Sequence, residues 1–216
     1  MGVEIPLFPL SVVLFPHMPL PLHIFEDRYR QMMRDCEEQG TSFGVVAIRE
    51  GVEAMGPATP HPVGTLAQLR KVEKLEDGRY NLLVVGASRF RIVGVSTRRP
   101  YLVGEVAYLQ DTDGGEGATA ELARQVGSAF RAYADTLRHL AGQDPAGIEL
   151  PDDPELLSYL VAATLQVEIA RKQELLEMDG AGDRLRGCLA LLRREAVLLD
   201  QMLARRDAPT GAFSPN

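Results

Sequence analysis

The first half of the chain alternates short apolar runs with turn residues, a pattern that predicts strands. Residues 5–8 and 11–15 are apolar and interrupted by prolines. Because proline lacks a backbone N–H, we predict short extended segments at a sheet edge or a barrel corner. Residues 26–39 carry apolar side chains at three- and four-residue spacing and end at Gly40, which indicates a helix. A buried strand is predicted over residues 43–48.

The next block is rich in predicted strands. Residues 51–62 contain three prolines and two glycines and predict a loop. The dipeptide Asp77-Gly78 is typical of a hairpin turn between two strands. Strands are predicted at residues 63–75, 79–85, 89–96 and 101–109. Short strands at this spacing favour a partly closed barrel.

The second half of the chain has a helical pattern. A polar, glycine-rich stretch at residues 111–118 separates it from the strands. Helices are predicted at residues 119–142, 155–166, 169–178 and 183–204. We therefore predict an α+β protein with a β-rich barrel over residues 1–110, a linker at 111–118, a helical bundle over 119–206 and a disordered tail at 207–216.

Leucines line the last predicted helix. Their 4-3-4-3-4 spacing resembles a coiled-coil seam, with Ala196 included. Two interpretations stay open. In the first, the seam packs inside a four-helix bundle of the same chain. In the second, the chain forms a homo-oligomer through Leu185, Leu189, Leu192, Leu199 and Leu203.

Charge and composition restrict the classes of partner. The 216 residues carry a net charge of −7, and the excess of acidic side chains lies entirely in residues 111–216. Without a basic run, we expect neither nucleic acid nor an anionic membrane surface as partner. No apolar run is long enough to predict a membrane span, and no basic signal-peptide start precedes Arg28. We expect a cytoplasmic protein.

The reactive side chains show no catalytic or metal-binding pattern. Cys36 and Cys188 lie far apart beside apolar neighbours and are predicted to be buried free thiols. The four histidines are not paired at metal-ligand spacing, and no Cys-x-x-Cys occurs. No catalytic residue, metal or cofactor is therefore predicted.

Four segments in order resemble the N-terminal, substrate-binding domain of Lon proteases. They cover nearly all of the chain predicted to be ordered: the opening from Ile5-Pro-Leu-Phe-Pro-Leu to Phe25-Glu-Asp-Arg-Tyr29; Val63-Gly-Thr-Leu-Ala67 with Asp77-Gly-Arg-Tyr80; Leu82 to Ile92 with Tyr101-Leu-Val-Gly-Glu-Val106; and Lys172-Gln-Glu-Leu-Leu-Glu177 with the final leucine-rich helix. The opening resembles most closely the stand-alone bacterial form of this domain.

The resemblance implies a fold and a role. The family fold is a PUA-like pseudo-barrel followed by a helical bundle, and the family role is recognition of unfolded or degron-bearing polypeptides. No phosphate-binding Gly-x-x-x-x-Gly-Lys-Ser/Thr loop occurs, and the Ser-Lys dyad of Lon lies in a downstream domain that the sequence lacks. We therefore expect a non-enzymatic polypeptide-binding module that serves as an adaptor in protein quality control.

The proline-rich opening supplies the candidate binding residues. A polypeptide held there by strand addition would contact Phe15, Pro16, Met18, Pro19, His23 and Phe25. Arg89 and Arg91 share one face of a predicted strand, and we expect acidic neighbours to neutralise the small basic patch. Two alternatives are a PUA-like nucleic-acid-binding protein and a ligand-binding sensor or small-molecule hydrolase that uses the barrel mouth.

Overall fold

The computed structural model describes residues 2–50, 59–111, 116–145 and 147–206. Within them the strands are β1 Val3–Leu10, β2 Pro19–Ile24, β3 Phe43–Glu50, β4 Thr59–Lys74, β5 Tyr80–Ser96 and β6 Leu102–Tyr108. The helices are α1 Asp27–Gln39, α2 Glu116–Leu140, α3 Pro154–Thr164, α4 Ile169–Glu177 and α5 Ala181–Arg206. The predicted tail at 207–216, residues 51–58 of the predicted loop and residues 112–115 of the predicted linker lie outside the described residues.

Strand β5 closes the barrel because its two halves have different neighbours. The sheet order is β2-β5-β4-β3-β1-β6, and β5 also pairs with β6. Residues 80–85 pair with β2, whereas residues 90–96 pair with β6. Between the halves lies Gly86, where an added Cβ would come within 2.1 Å of the Phe15 carbonyl oxygen. Five strands thus form a ring, and β2 extends the sheet beyond it.

The prediction for the proline-rich opening is partly wrong. Residues 3–10 form one strand inside the sheet, residues 11–15 are not a strand, and β2 was not predicted. β1 tolerates its prolines because it changes partner at Leu7. Pro6 is opposite only Val103 of β6, and Pro9 is opposite only Val46 of β3. Each proline therefore lies where one side of the strand has no paired neighbour, so the missing N–H interrupts no row of backbone hydrogen bonds on that side.

The other barrel strands also depart from the predicted bounds. β5 is continuous across residues 86–88, where two strands were predicted. Residues 59–62, predicted as loop, begin β4, and Ile48 is opposite Pro60 beside a register irregularity. A bulge of this kind lets a strand accept a residue that cannot donate a backbone hydrogen bond.

Helix α1 covers one side of the barrel. Tyr29, Met32, Met33 and Cys36 are buried, and the helix ends at Gly40 in the left-handed region (φ 61°). On the same helix, Asp35 accepts hydrogen bonds from Tyr101, Arg99 and Gln31. This polar cluster joins α1 to the turn before β6.

The barrel and the helices share a core. The largest cluster of buried apolar residues combines Val13, Phe15, Ala47 and Val63 of the barrel region with side chains of α2, α3, α4 and α5. Gln173 of α4 donates to the Val63 carbonyl oxygen at 3.0 Å. The two parts, predicted as a barrel and a helical bundle joined by a linker, are therefore packed together.

The leucine seam of α5 is occupied within the chain. Leu185, Leu189, Leu192 and Leu199 are buried in the shared core, where α5 packs against α2 and α3, and Leu203 is half-buried. The burial of these leucines thus favours the first interpretation, in which the seam packs inside the chain, over a homo-oligomer interface. The exposed large apolar residues of α5 are Val197, Leu198 and Met202.

Leu192→Ala is expected to lower the free energy of unfolding by about 2–5 kcal/mol, because it opens a cavity in the shared core. Leu192 is 1% exposed, and the control position Leu198, on the same helix, is 43% exposed. Leu198→Ala should change the free energy by about 0.5 kcal/mol or less. Urea denaturation followed by circular dichroism measures both, and equal effects would contradict the assignment of Leu192 to the core.

Tyr101→Phe is expected to weaken the acid-sensitive cluster around Asp35. Burial raises the pKa of Asp35, but hydrogen bonds from Tyr101, Gln31 and Arg99 outweigh it and hold the pKa below the ordinary 3.8. The ionised carboxylate therefore stabilises the fold above about pH 4, and this contribution is lost as the pH falls further. Removing one donor should cost about 1–2 kcal/mol at pH 7 and flatten the loss of stability below pH 4.

Urea denaturation at several pH values measures both effects. Tyr108→Phe is the matched control, since Tyr108 is also on the β6 side of the barrel but is 46% exposed. A Tyr101→Phe protein with wild-type stability at pH 7 would show that the hydrogen bond to Asp35 contributes nothing.

Candidate functional site

Three strands present a solvent-facing surface outside the barrel. Cross-strand partners lie on the same side of a sheet, so the register of β2, β5 and β4 defines three rows. The rows are Pro19–Val85–Gln68, Pro21–Leu83–Lys71 and His23–Asn81–Glu73. We call these nine residues the outer face. Leu20, Leu22 and Ile24 of β2 point the other way, toward the buried cluster beneath α1.

The outer face has an apolar part and a polar row. Leu83 is 38% exposed, and Pro19 and Pro21 lie beside it on β2. In the polar row, His23 Nδ1 is 2.7 Å from Asn81 Oδ1, and Asn81 donates to Glu73 at 3.3 Å. The His23 ring stacks on Phe25, which is 59% exposed. An extended apolar segment could contact this surface along its length.

The free edge of β2 offers few hydrogen-bond donors. The Gly86 N–H donates to the Met18 carbonyl oxygen at 3.0 Å. Every second residue of the strand, counted from Met18, therefore directs its backbone N–H and C=O groups toward β5. Pro19, Pro21 and His23 therefore face the open side, and only His23 has an N–H there. A strand added at this edge would find acceptors but almost no donors.

The structure separates the six predicted binding residues into two groups. Pro19, His23 and Phe25 are exposed on or beside the outer face. The other three lie at the contact with the helices: Phe15 and Pro16 are buried, and Met18 packs partly buried against the shared core. The peptide-binding role of all six stays a prediction, and in this conformation the first group is the more exposed.

A cleft of about 560 Å³ lies where the outer face meets helix α3. Its walls combine barrel and helix residues: Pro16, His17, Gln68, Arg70, Val85, Gly86, Ala87, Ser88, Arg89, Leu109, Gln110, Asp111, Glu155 and Tyr159. His17 has a φ of 64°, which is uncommon for a residue other than glycine, and its N–H donates to the Gly86 carbonyl oxygen at 2.8 Å. The cleft is therefore formed by both parts of the fold.

One carboxylate binds two buried guanidinium groups below this cleft. Arg89 of β5 and Arg184 of α5 are 2% and 0% exposed, and each donates to a different oxygen of Asp111. Arg89 also donates to the carbonyl oxygens of Leu176 and Met178, at 2.8 and 2.7 Å. The prediction that Arg89 and Arg91 share one face is thus wrong, because Arg89 is buried in the barrel–helix contact and Arg91 is exposed.

Helix α3 completes this buried cluster. The Tyr159 hydroxyl donates to Asp111 at 3.1 Å, and its ring lies 3.8 Å from the Arg184 guanidinium carbon. Arg184 Nε donates to the Ser158 hydroxyl at 2.7 Å. Burial raises the pKa of Tyr159, so the hydroxyl keeps its proton and remains a donor. The cluster therefore joins β5, α3 and α5 around one carboxylate.

The rim of the cleft carries charges of both signs. Burial, and then the charge of Asp111, raise the pKa of Glu155. Arg70 lies at a bulge, because the β4–β5 register passes from Leu69↔Val84 to Lys71↔Leu83. Bulges redirect side chains, and here the extra residue lines the cleft. Among the described residues, the hydrogen-bond partner of Arg70 is the Gln68 side-chain oxygen, at 3.4 Å.

The described part of the chain offers neither a membrane-spanning helix nor a metal site. None of the helices described there is both long and apolar enough to span a membrane. No group of three or more His, Cys, Asp or Glu side chains described there is arranged to hold a metal ion. Cys36 and Cys188 are both buried and free, as predicted.

Comparison with known proteins identifies the family. The profile of the ATP-dependent protease La (LON) substrate-binding domain matches residues 4–194. Lon protease of Xanthomonas oryzae is 34% identical over 200 residues, which are 89% of this chain and 23% of the relative. Lon protease of Escherichia coli K12 is 29% identical over 199 residues, 91% of this chain and 25% of the relative.

Solved structures agree with this assignment. A Lon N-terminal domain protein from Xanthomonas campestris superposes with a TM-score of 0.65 at 29% identity, over 87% of this chain and 98% of that one. The N-terminal domain of a Mycobacterium avium complex Lon protease gives the same TM-score at 17% identity and supports the fold alone. The chain belongs to the Lon substrate-binding domain family. It spans about a quarter of the length of the curated relatives it matches.

The predicted fold class is therefore confirmed: an α+β protein in which a barrel-like ring of strands precedes helices, as in the Lon N-terminal domain. The cleft was not predicted, because its walls come from residues far apart in sequence, such as Arg70, Asp111 and Tyr159. For the outer face a signal was present. Residues 82–85 are apolar throughout, as in a strand, but only the structure shows that Leu83 is exposed while Leu82 and Val84 are buried.

Asp111→Asn is expected to lower the free energy of unfolding by about 3–5 kcal/mol, because it leaves two buried guanidinium groups without a counter-charge. Asp183→Asn is the matched control, since Asp183 is 64% exposed in its pair with Arg186 and should change stability by about 0.5 kcal/mol or less. Chemical denaturation of both variants measures the difference. Similar small losses would show that Asp111 is dispensable.

Proposed function

We propose that this chain is a polypeptide-recognition module that binds extended, partly apolar segments on the outer face. Membership of the Lon substrate-binding domain family supports the partner class. The single observation that carries the location is the exposed apolar surface of Pro19, Pro21 and Leu83, continued by Phe25. Exposed apolar side chains that lie together are typical of an interaction surface.

The mode of binding that the geometry favours is side-chain contact across the sheet. Strand addition at β2 would gain few hydrogen bonds, since Pro19 and Pro21 cannot donate. A segment lying across β2 and β5 would instead bury Leu83 and the proline rings, at about 25 cal/mol for each Å² of apolar area. Such contacts depend little on the exact sequence of the partner, as a protein that recognises unfolded chains requires.

We further infer that the chain acts without catalysis and without a cofactor, in the cytoplasm, as an adaptor in protein quality control. The family profile that it matches is that of a substrate-binding domain. Its charge of −7 disfavours a nucleic-acid partner. The proposed function thus depends on the outer face, which needs no reactive group.

Leu83→Asp is expected to weaken binding of an unfolded polypeptide by roughly tenfold, the loss of one buried leucine side chain. The probe is fluorescein-labelled, reduced and carbamidomethylated α-lactalbumin, followed by fluorescence anisotropy. Val93→Asp is the matched control: Val93 is also an exposed apolar residue of β5, at 65%, but lies in the half that pairs with β6. Its affinity should stay within about twofold of wild type.

Two results would overturn the proposal. One is the absence of binding by the wild-type protein at a probe concentration of about 100 μM, well above the range that specific recognition requires. The other is an equal loss of affinity in the two variants, which would place binding elsewhere. Circular dichroism confirms that both variants are folded.

A further inference from the structure

The cleft continues the outer face toward the helices. Val85 and Gln68 form the last row of the outer face with Pro19, and both also line the cleft. Beyond them stand Glu155 and Tyr159 of α3, which close the path along the strands. A polypeptide that follows the outer face toward α3 must therefore turn away or end in the cleft.

The charges around the cleft favour the negatively charged C-terminal end of a polypeptide over its positively charged N-terminal end. Arg89 and Arg184 share a single carboxylate, that of Asp111, so the buried cluster retains a positive charge. Arg89 Nε has no hydrogen-bond partner in the part of the chain that the structure describes. At the rim Arg70 adds a guanidinium group that faces only the Gln68 amide. Guanidinium groups bind carboxylates strongly, often through two parallel hydrogen bonds.

Apart from Asp111, Glu155 is the acidic residue that opposes this charge among the described residues that line the cleft. It is exposed, and its carboxyl lies close enough to Asp111 and Arg184 to feel both charges. Burial and the Asp111 charge raise the pKa of Glu155, whereas the charge of Arg184 acts against them. A carboxylate that enters the cleft would compete with Glu155 for the same positive field.

We propose that the cleft binds the C-terminal carboxylate of a polypeptide lying on the outer face, with Arg70 as the side chain that contacts it. The proposal rests on the proposed function, because the chain that ends in the cleft is the one held by Leu83 and the β2 prolines. It adds a preference for free carboxyl ends over internal segments. Arg89 and Arg184 supply charge from below the cleft, and their hydrogen bonds fix its walls.

The test compares two peptides that differ in one group. A twelve-residue apolar peptide, labelled with fluorescein at its N-terminus, is made with a free C-terminal carboxylate and with a C-terminal amide. Fluorescence anisotropy should show roughly tenfold tighter binding of the carboxylate form, the effect of a hydrogen-bonded charge. Arg70→Gln should remove this difference. Arg98→Gln, at another exposed arginine in the turn between β5 and β6, should preserve it.

Glu155→Gln gives a change in the opposite direction. Because it removes the competing negative charge, it should tighten binding of the carboxylate peptide severalfold and leave the amide peptide unchanged. Both Arg70 and Glu155 are exposed, so neither substitution removes buried packing. Thermal denaturation verifies that the variants remain folded.

Three outcomes would overturn the proposal. The first is equal affinity of the wild-type protein for the two peptides. The second is tighter binding of the amide form. The third is an amide peptide carrying one internal aspartate that binds as tightly as the free carboxylate, which would show that the cleft does not select chain ends. Sensitivity of the amide peptide to Leu83→Asp tests the outer face separately, so failure of the cleft proposal is distinguishable from failure of the proposed function.

Discussion

The fold depends on one carboxylate that bridges two buried guanidinium groups. Asp111 follows the last barrel strand, and its two oxygens bind Arg89 of β5 and Arg184 of α5. Removing guanidinium groups from water is costly, and hydrogen bonds to the remaining donors offset part of that cost. Here backbone carbonyl oxygens at the end of α4 accept from both arginines. The position of the helices relative to the barrel follows from this requirement.

That arrangement also explains where the candidate site lies. The shared core of barrel and helix side chains supplies the apolar part of the contact, and the Asp111 cluster fixes its orientation. The outer face belongs to the barrel alone, whereas the cleft at its end needs α3. The outer face therefore ends at helix α3, and the buried Asp111 cluster fixes the position of that helix.

The sequence predicts the elements better than their connections. The apolar spacing of α1 and the leucines of α5 have a clear period, and the structure confirms helices at both places. The opening segment was harder, because the rule that excludes proline from interior strands assumes neighbours on both sides along the whole strand. Pro6 and Pro9 each have one neighbour. The partners of Arg89 were beyond prediction, since Asp111 and Met178 are separated by 67 residues in the chain.

The prolines of β2 have a consequence for the behaviour of the protein itself. A domain that exposes apolar side chains beside an unpaired edge strand tends to aggregate. Edge strands of separate copies can pair into a continuous sheet, which is the first step toward fibrils. Pro19 and Pro21 withhold the N–H groups that such stacking needs. The same two proline rings thus provide an apolar contact surface for other polypeptides and prevent strand pairing between copies of this chain.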